Sequence, residues 1–253
     1  MFGSIFTFEV RRLLRSLSTY VYFFVLLAVT FLVALMAGGA FPDVKFDTGG
    51  DKVFANSPLV IDAFFGQINN YIGLIILVAM VGNAVLKDFK YNTYSMIFTT
   101  PVSRLSYLSG RFSASMLVTL LVLSAPAFGM MLGYAMPMVN ADRIGDFALA
   151  PYVTSYLYTV IPNAIVFGTI FFAVSLISRD IFVIWLSLIV FFVANGVAGS
   201  FFGRLDHQSV AALADPMGNF AKRTITKYWS TWEKNHLLLP LKGYFLYNRL
   251  LWL

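Results

Sequence analysis

The chain has 253 residues, of which 59% are hydrophobic and only 12% charged, with a formal net charge of +6. Its mean hydropathy is +0.77, and soluble domains carry about 25% charged residues, so it lacks the polar surface a water-soluble globule needs. The absence of cysteine excludes disulfides, thiolate metal sites and cysteine nucleophiles, and in so apolar a chain the basic excess is read as facing an anionic leaflet, with no nucleic acid as partner.

At the amino terminus Phe2, Ile5, Phe6, Val10, Leu13, Leu14 and Leu17 recur at helical spacing, with Glu9, Arg11, Arg12 and Arg15 opposite them. The pattern predicts an amphipathic helix over 1–17 lying in the membrane interface, anchored by Arg11, Arg12 and Arg15. The apolar run that follows exceeds the ~7–15 residues of a secretion-signal core, so it is read as an uncleaved span despite the small residues Ala37-Gly38-Gly39-Ala40.

A bilayer core about 30 Å thick takes about 20 apolar helical residues. Uncharged intervals of that length predict spans near 18–38, 63–86, 112–135, 153–177 and 181–202. Residues 203–243 are then an external segment, and 244–253, apolar but too short to cross, is the start of a sixth span, as in a fragment cut at that helix's mouth. The expected fold is an all-α polytopic transmembrane bundle forming one domain over 1–253. A cytoplasmic amino terminus puts Arg11, Arg12, Arg15, Lys87, Lys90, Arg104, Arg111 and Arg179 inside, while acidic residues outnumber basic ones in the first two outer loops.

Gly129 with Gly133, and Gly199 with Gly203, form small-xxx-small pairs expected at helix contacts. Pro126 and Pro162 are expected to kink their helices. Asn83, Asn163 and Asn195 are polar at membrane depth and read as packing residues. Asp62 and Asp88 fall at span ends, so no mid-span carboxylate supports ion-coupled transport.

Catalytic patterns are missing. There is no G-x-x-x-x-G-K-[ST], no H-E-x-x-H and no G-x-S-x-G. His207 and His236 read as surface residues, so no catalytic residue, metal or cofactor is assigned to this chain. Tyr228, Trp229 and Trp232 with Lys227 read as an interfacial aromatic belt.

Between the second and third spans runs Lys87 to Arg111. Tyr94, Ile97 and Phe98 form an apolar stripe, Pro101 breaks that helix, and Ser103 can cap a new one through Tyr107 and Gly110. This stretch, with Thr99-Thr100-Pro101-Val102-Ser103-Arg104 and Gly110-Arg111 leading into a span, resembles the membrane subunits of ABC-2 type transporters. It departs from that family's pattern at Asp88 and Asn92-Thr93, where Glu and Gly-Thr are commoner. The stretch from Asp215-Pro216-Met217-Gly218 to Asn248-Arg249 is similar to the amino-terminal half-permeases of Bacteroidota fusion proteins that also carry an M1 aminopeptidase-like domain.

The resemblance implies a multi-pass subunit of the bacterial inner membrane, acting as an exporter. Its partners would be a separate ABC ATPase, which holds ATP and Mg, and a second permease half or a homodimer mate. Tyr94, Phe98, Thr99, Thr100, Pro101, Arg104 and Tyr107 would form the ATPase-coupling surface. The alternative is a non-transporting anchor or scaffold for a peptidase-like domain or an assembly complex.

Overall fold

The computed structural model describes residues 2–44, 46–50, 52–90, 103–202 and 208–253, without the side chains of 88–90, 201, 202 and 208. The protein is an all-α, multi-pass helical bundle with no strand among the described residues. Among the described residues helix α1 (Phe2–Leu14) precedes five helices long and apolar enough to cross a membrane. These are α2 (Leu17–Ala37), α3 (Pro58–Lys87), α4 (Arg104–Tyr134), α5 (Ala150–Ser178) and α6 (Ile181–Phe202). Among the described residues that follow are the short helices α7 (Gln208–Ala214), α8 (Asn219–Thr226), α9 (Thr231–His236) and α10 (Gly243–Trp252).

Three spans begin earlier than their apolar runs suggest, two of them at serine caps and the third at a proline. Ser57 accepts the Val60 N–H and Pro58 fills the first turn of α3. Ser103 accepts the Ser106 N–H, so α4 includes Arg104 and Arg111 before its uncharged stretch. Pro151 fills the first turn of α5, where Leu149 offers no side-chain cap. Pro126 sits two residues after a break at Ser124 in α4, and Pro162 follows a π-helical turn in α5, both proline positions where an internal N–H is missing.

The core lies among α3, α4 and α5, where Leu77, Val81, Val118, Val122, Phe167 and Phe171 are buried. Helices α2 and α6 lie at the rim and show much apolar surface, as lipid-facing helices do. Helix α3 contains two π-helical turns, Asn69–Gly73 and Val78–Gly82. A π-turn disturbs the regular carbonyl bonding, and polar side chains meet the affected carbonyls. Asn69 donates to the Phe65 carbonyl at 2.9 Å, Asn83 to Ala79 at 2.8 Å, and Ser175 from α5 to Gly82 at 2.6 Å.

Helix α2 packs against the second half of α4 through bare glycine. A side chain at Gly133 would stand 2.6 Å from Ala34 Cβ and 2.8 Å from the Phe31 carbonyl, and one at Gly129 would run into Thr30 and the Leu27 carbonyl. Gly199 is different, with only Phe220 Cζ at 3.9 Å from such an atom. Gly203 lies outside the described residues.

Parts of the carboxy-terminal stretch pack against the bundle. Met217, Phe245, Asn248 and Arg249 are buried, and the Met217 carbonyl and the Arg249 guanidinium reach Asn163, which stands near the midpoint of α5. Ala212, Ala221, Lys222 and Leu239 are buried as well, while Tyr228 and Trp232 are at the surface. There Ser230 and Glu233 form a capping box on α9, and the Ser230 N–H and hydroxyl hold the Glu233 carboxyl below its usual range.

Candidate functional site

Charge enters the bundle where α8 crosses α3. Asp62 is one turn into α3 and 5% exposed, and Lys222 Nζ lies 2.8 Å from its Oδ2. The Thr159 hydroxyl, on the π-helical turn of α5, donates to Asp62 Oδ1 at 3.5 Å. Gly66 follows one turn later, and an added Cβ there would sit 3.3 Å from the Lys222 ammonium. The missing side chain therefore leaves room for the cation. Helix α8 is placed by the turn before it. Both Asp215 carboxylate oxygens accept backbone N–H groups, from Met217 at 2.9 Å and Phe220 at 3.0 Å, while Gly218 takes a φ of +74° that a side chain would strain.

A second cation stands behind this pair. Arg249 Nη1 donates to Asn163 Oδ1 at 2.5 Å. The Asn163 amide in turn donates to Asn70 Oδ1 at 2.7 Å and to the Met217 carbonyl at 3.2 Å, and Asn70 donates to Asn219 at 3.4 Å. Asn248 holds the carbonyls of Ala212 and Asp215, both at 2.8 Å. Gly218 presses on the guanidinium, since a Cβ there would lie 2.8 Å from Arg249 Cζ. Arg249 Nε and Nη2 have no hydrogen-bond partner among the described residues. The network thus ties α3, α5, α8 and α10 together at mid-height.

Beside the pair a cavity of about 540 Å³ separates α3 from α6 and α8. Asp62, Gln67, Asn195, Asn219, Lys222 and Arg223 give it a polar lining, with Tyr71 and Phe220 as apolar walls. Gln67, Tyr71 and Arg223 are exposed, and Gly196 on α6 leaves open space in front of it. Polar surface facing lipid is costly unless something polar covers it, so this groove is a place for a ligand or solvent. Among the described residues no group of His, Cys, Asp and Glu could hold a metal ion.

Sequence reasoning picked Asn163 and Asn195 but not their partners. It left Asp62 at a span end and assigned nothing to Lys222, 160 residues along from Asp62, or to Arg249, 86 residues along from Asn163. The available signal was Asp215-Pro216-Met217-Gly218, a turn sequence ahead of a basic, apolar-faced helix.

At the opposite end α1 packs on the start of α4. Glu9, expected on the water-facing side, is 4% exposed, with Arg111 Nη2 at 3.1 Å and Arg12 Nη2 at 2.6 Å. Arg111 Nη1 also donates to the Ala84 carbonyl of α3 at 2.5 Å. Of the expected anchors, Arg11 and Arg15 are exposed and Arg12 is half-buried. Arg104 is exposed at the first turn of α4 and Tyr107 is buried three residues on, under the Arg111 guanidinium at 5.0 Å. Tyr94, Phe98, Thr99, Thr100 and Pro101 lie outside the described residues.

Removing one member of a buried ion pair costs about 3–5 kcal/mol, while exposed pairs contribute about 0–1. Glu9→Gln should therefore lower stability in detergent by about 3 kcal/mol and release α1, seen as faster protease cleavage near Arg15. Arg12→Gln, whose side chain is 33% exposed, should change stability by less than about 1 kcal/mol. Equal effects of the two would show that Glu9 is not the tie.

Compared with known proteins, the chain matches no family model, and no curated protein or solved structure is significantly similar to it.

Proposed function

We propose that this chain is the membrane-spanning subunit of an ATP-driven ABC-2 type transporter of the bacterial inner membrane, acting in export. A separate ATPase binds ATP on the cytoplasmic side and pushes on the 87–111 element, and a second permease half or a second copy completes the path. The cavity between α3 and α6 is the seat for the transported molecule in each half.

The observation that supports this reading most is the clamp at Arg111. One guanidinium holds the end of α3, through Ala84, and α1, through Glu9, while itself belonging to α4. The resemblance to coupling elements falls on the segment between those two span ends. A force applied there is delivered to two spans and to α1 together. Movement of packed helices against one another is the usual means by which such forces open a path.

Co-expression with a co-encoded ABC ATPase tests the assignment. Wild-type protein should co-purify with the ATPase, and Phe98→Asp combined with Arg104→Glu should reduce recovery at least tenfold. A complex that survives both substitutions overturns the coupling surface. Labelling of Arg104→Cys from outside intact cells overturns the orientation. A wild-type chain that retains a peptidase-like partner but no ATPase favours the scaffold reading.

A further inference from the structure

The groove beside Asp62 and Lys222 has a second compartment. Phe191, Ala194, Ala198, Ala211 and Ala214 line an apolar slot of about 190 Å³ that shares Asn195, Asp215 and Phe220 with the polar cavity. Depth sorts the two by chemistry. Helix α3 has 30 residues, about 45 Å at 1.5 Å per residue. Centring a core of about 30 Å on it puts Asp62 at the core boundary and Gln67 roughly 8 Å inside. The charged part of the cavity therefore stands at head-group level, and the slot opens from it beside the apolar wall of α6.

The charges in the polar part are unevenly used. Asp62 is neutralised by Lys222, and the Asp215 oxygens are taken by the Met217 and Phe220 N–H groups. The Arg223 side chain is exposed and has no ion pair or hydrogen bond among the described residues. Arg249 adds a further buried positive charge behind, making no salt bridge among the described residues. The groove thus offers a free cation, several amides and an adjoining apolar slot. We infer that it binds an amphiphile with an anionic head group, the head at Arg223 and Lys222 and the chain in the alanine-lined slot. The inference deepens the transporter reading by naming the substrate class, and it rests on that reading for transport but not for binding.

The absence of cysteine allows a direct test. Ala63 is exposed on the cavity wall, so Ala63→Cys gives a single reporter whose labelling by a maleimide is measured in dodecyl maltoside. Dodecyl phosphate should slow labelling at least fivefold, while inorganic phosphate and dodecyltrimethylammonium should leave it unchanged. Arg223→Gln should raise the dodecyl phosphate concentration for half-protection at least tenfold, and Arg223→Lys should stay within threefold of the parent. Equal protection by the cationic amphiphile would reduce the groove to an apolar cleft. Protection by inorganic phosphate alone would make it a free-anion site. Unchanged protection in Arg223→Gln would remove the head-group contact, and each of these overturns the proposal. No ATPase is present in the assay, so a failed ATPase pull-down with intact protection rejects the transporter and keeps the site.

Discussion

Gly129→Val should be the most damaging single substitution in the transmembrane core. A β-carbon at that position meets the Thr30 hydroxyl and the Leu27 carbonyl of α2, and the carbonyl is backbone that cannot rotate away. Thr30 is itself fixed, since its hydroxyl donates to the Leu26 and Leu27 carbonyls at 2.8 and 3.0 Å. Helices in lipid gain no hydrophobic drive from associating, so close backbone approach supplies much of the attraction between them. Valine forces α2 off α4 and forfeits that approach along the length of the contact. Overpacking in a core costs about 1–3 kcal/mol where side chains can yield, and here the loss should exceed about 3. The measurement is the unfolding midpoint in detergent, with the folded fraction on size exclusion as a second reading. Gly199→Ala belongs to the same sequence pattern but meets only Phe220 Cζ at 3.9 Å, and it should shift stability by less than about 0.5 kcal/mol. If both glycines tolerate substitution, the α2 contact is not as close as described.

That contrast shows where the sequence is informative. Five uncharged stretches are readable because a bilayer core admits nothing else of that length, and the proline at 126 announces its break because it lacks an N–H. A small-xxx-small pair says only that close approach is permitted. Gly129 and Gly133 use the permission, while Gly199 faces a cavity. The polar heart of the bundle is less legible still. Asp62 lies close enough to a span end to pass for an interfacial residue, and its partner sits in a basic segment that reads as external. Nothing in local periodicity links positions 160 apart in the chain. Glu9 fails for the same reason, because a carboxylate among arginines on one helix face reads as solvated until Arg111 of another helix claims it. Charge placement along a segment is a local property, and burial of that charge is a tertiary one.

Lys222→Met should cost about 3–5 kcal/mol, because among the described residues it leaves the buried Asp62 carboxylate only the Thr159 hydroxyl at 3.5 Å. Asp62→Leu should cost a similar amount by stranding the ammonium beside Gly66 and the second cation, Arg249. The double variant should recover much of the loss, since two apolar groups of similar volume replace a pair whose desolvation offsets most of its attraction. A thermodynamic cycle over wild type, both single variants and the double variant isolates the coupling, expected at about 2 kcal/mol or more. Function should follow a different pattern from stability. If the pair exists only to hold α8 against α3, the double variant regains both folding and dodecyl phosphate protection of Ala63→Cys. If Lys222 also meets the head group, the double variant regains folding and still loses protection at least fivefold. The second outcome is the expected one, because the same ammonium that neutralises Asp62 also lines the cavity, next to the exposed Arg223. Single variants as stable as wild type would mean that the carboxylate and ammonium are not buried against each other, and the polar wall of the groove would have to be redrawn.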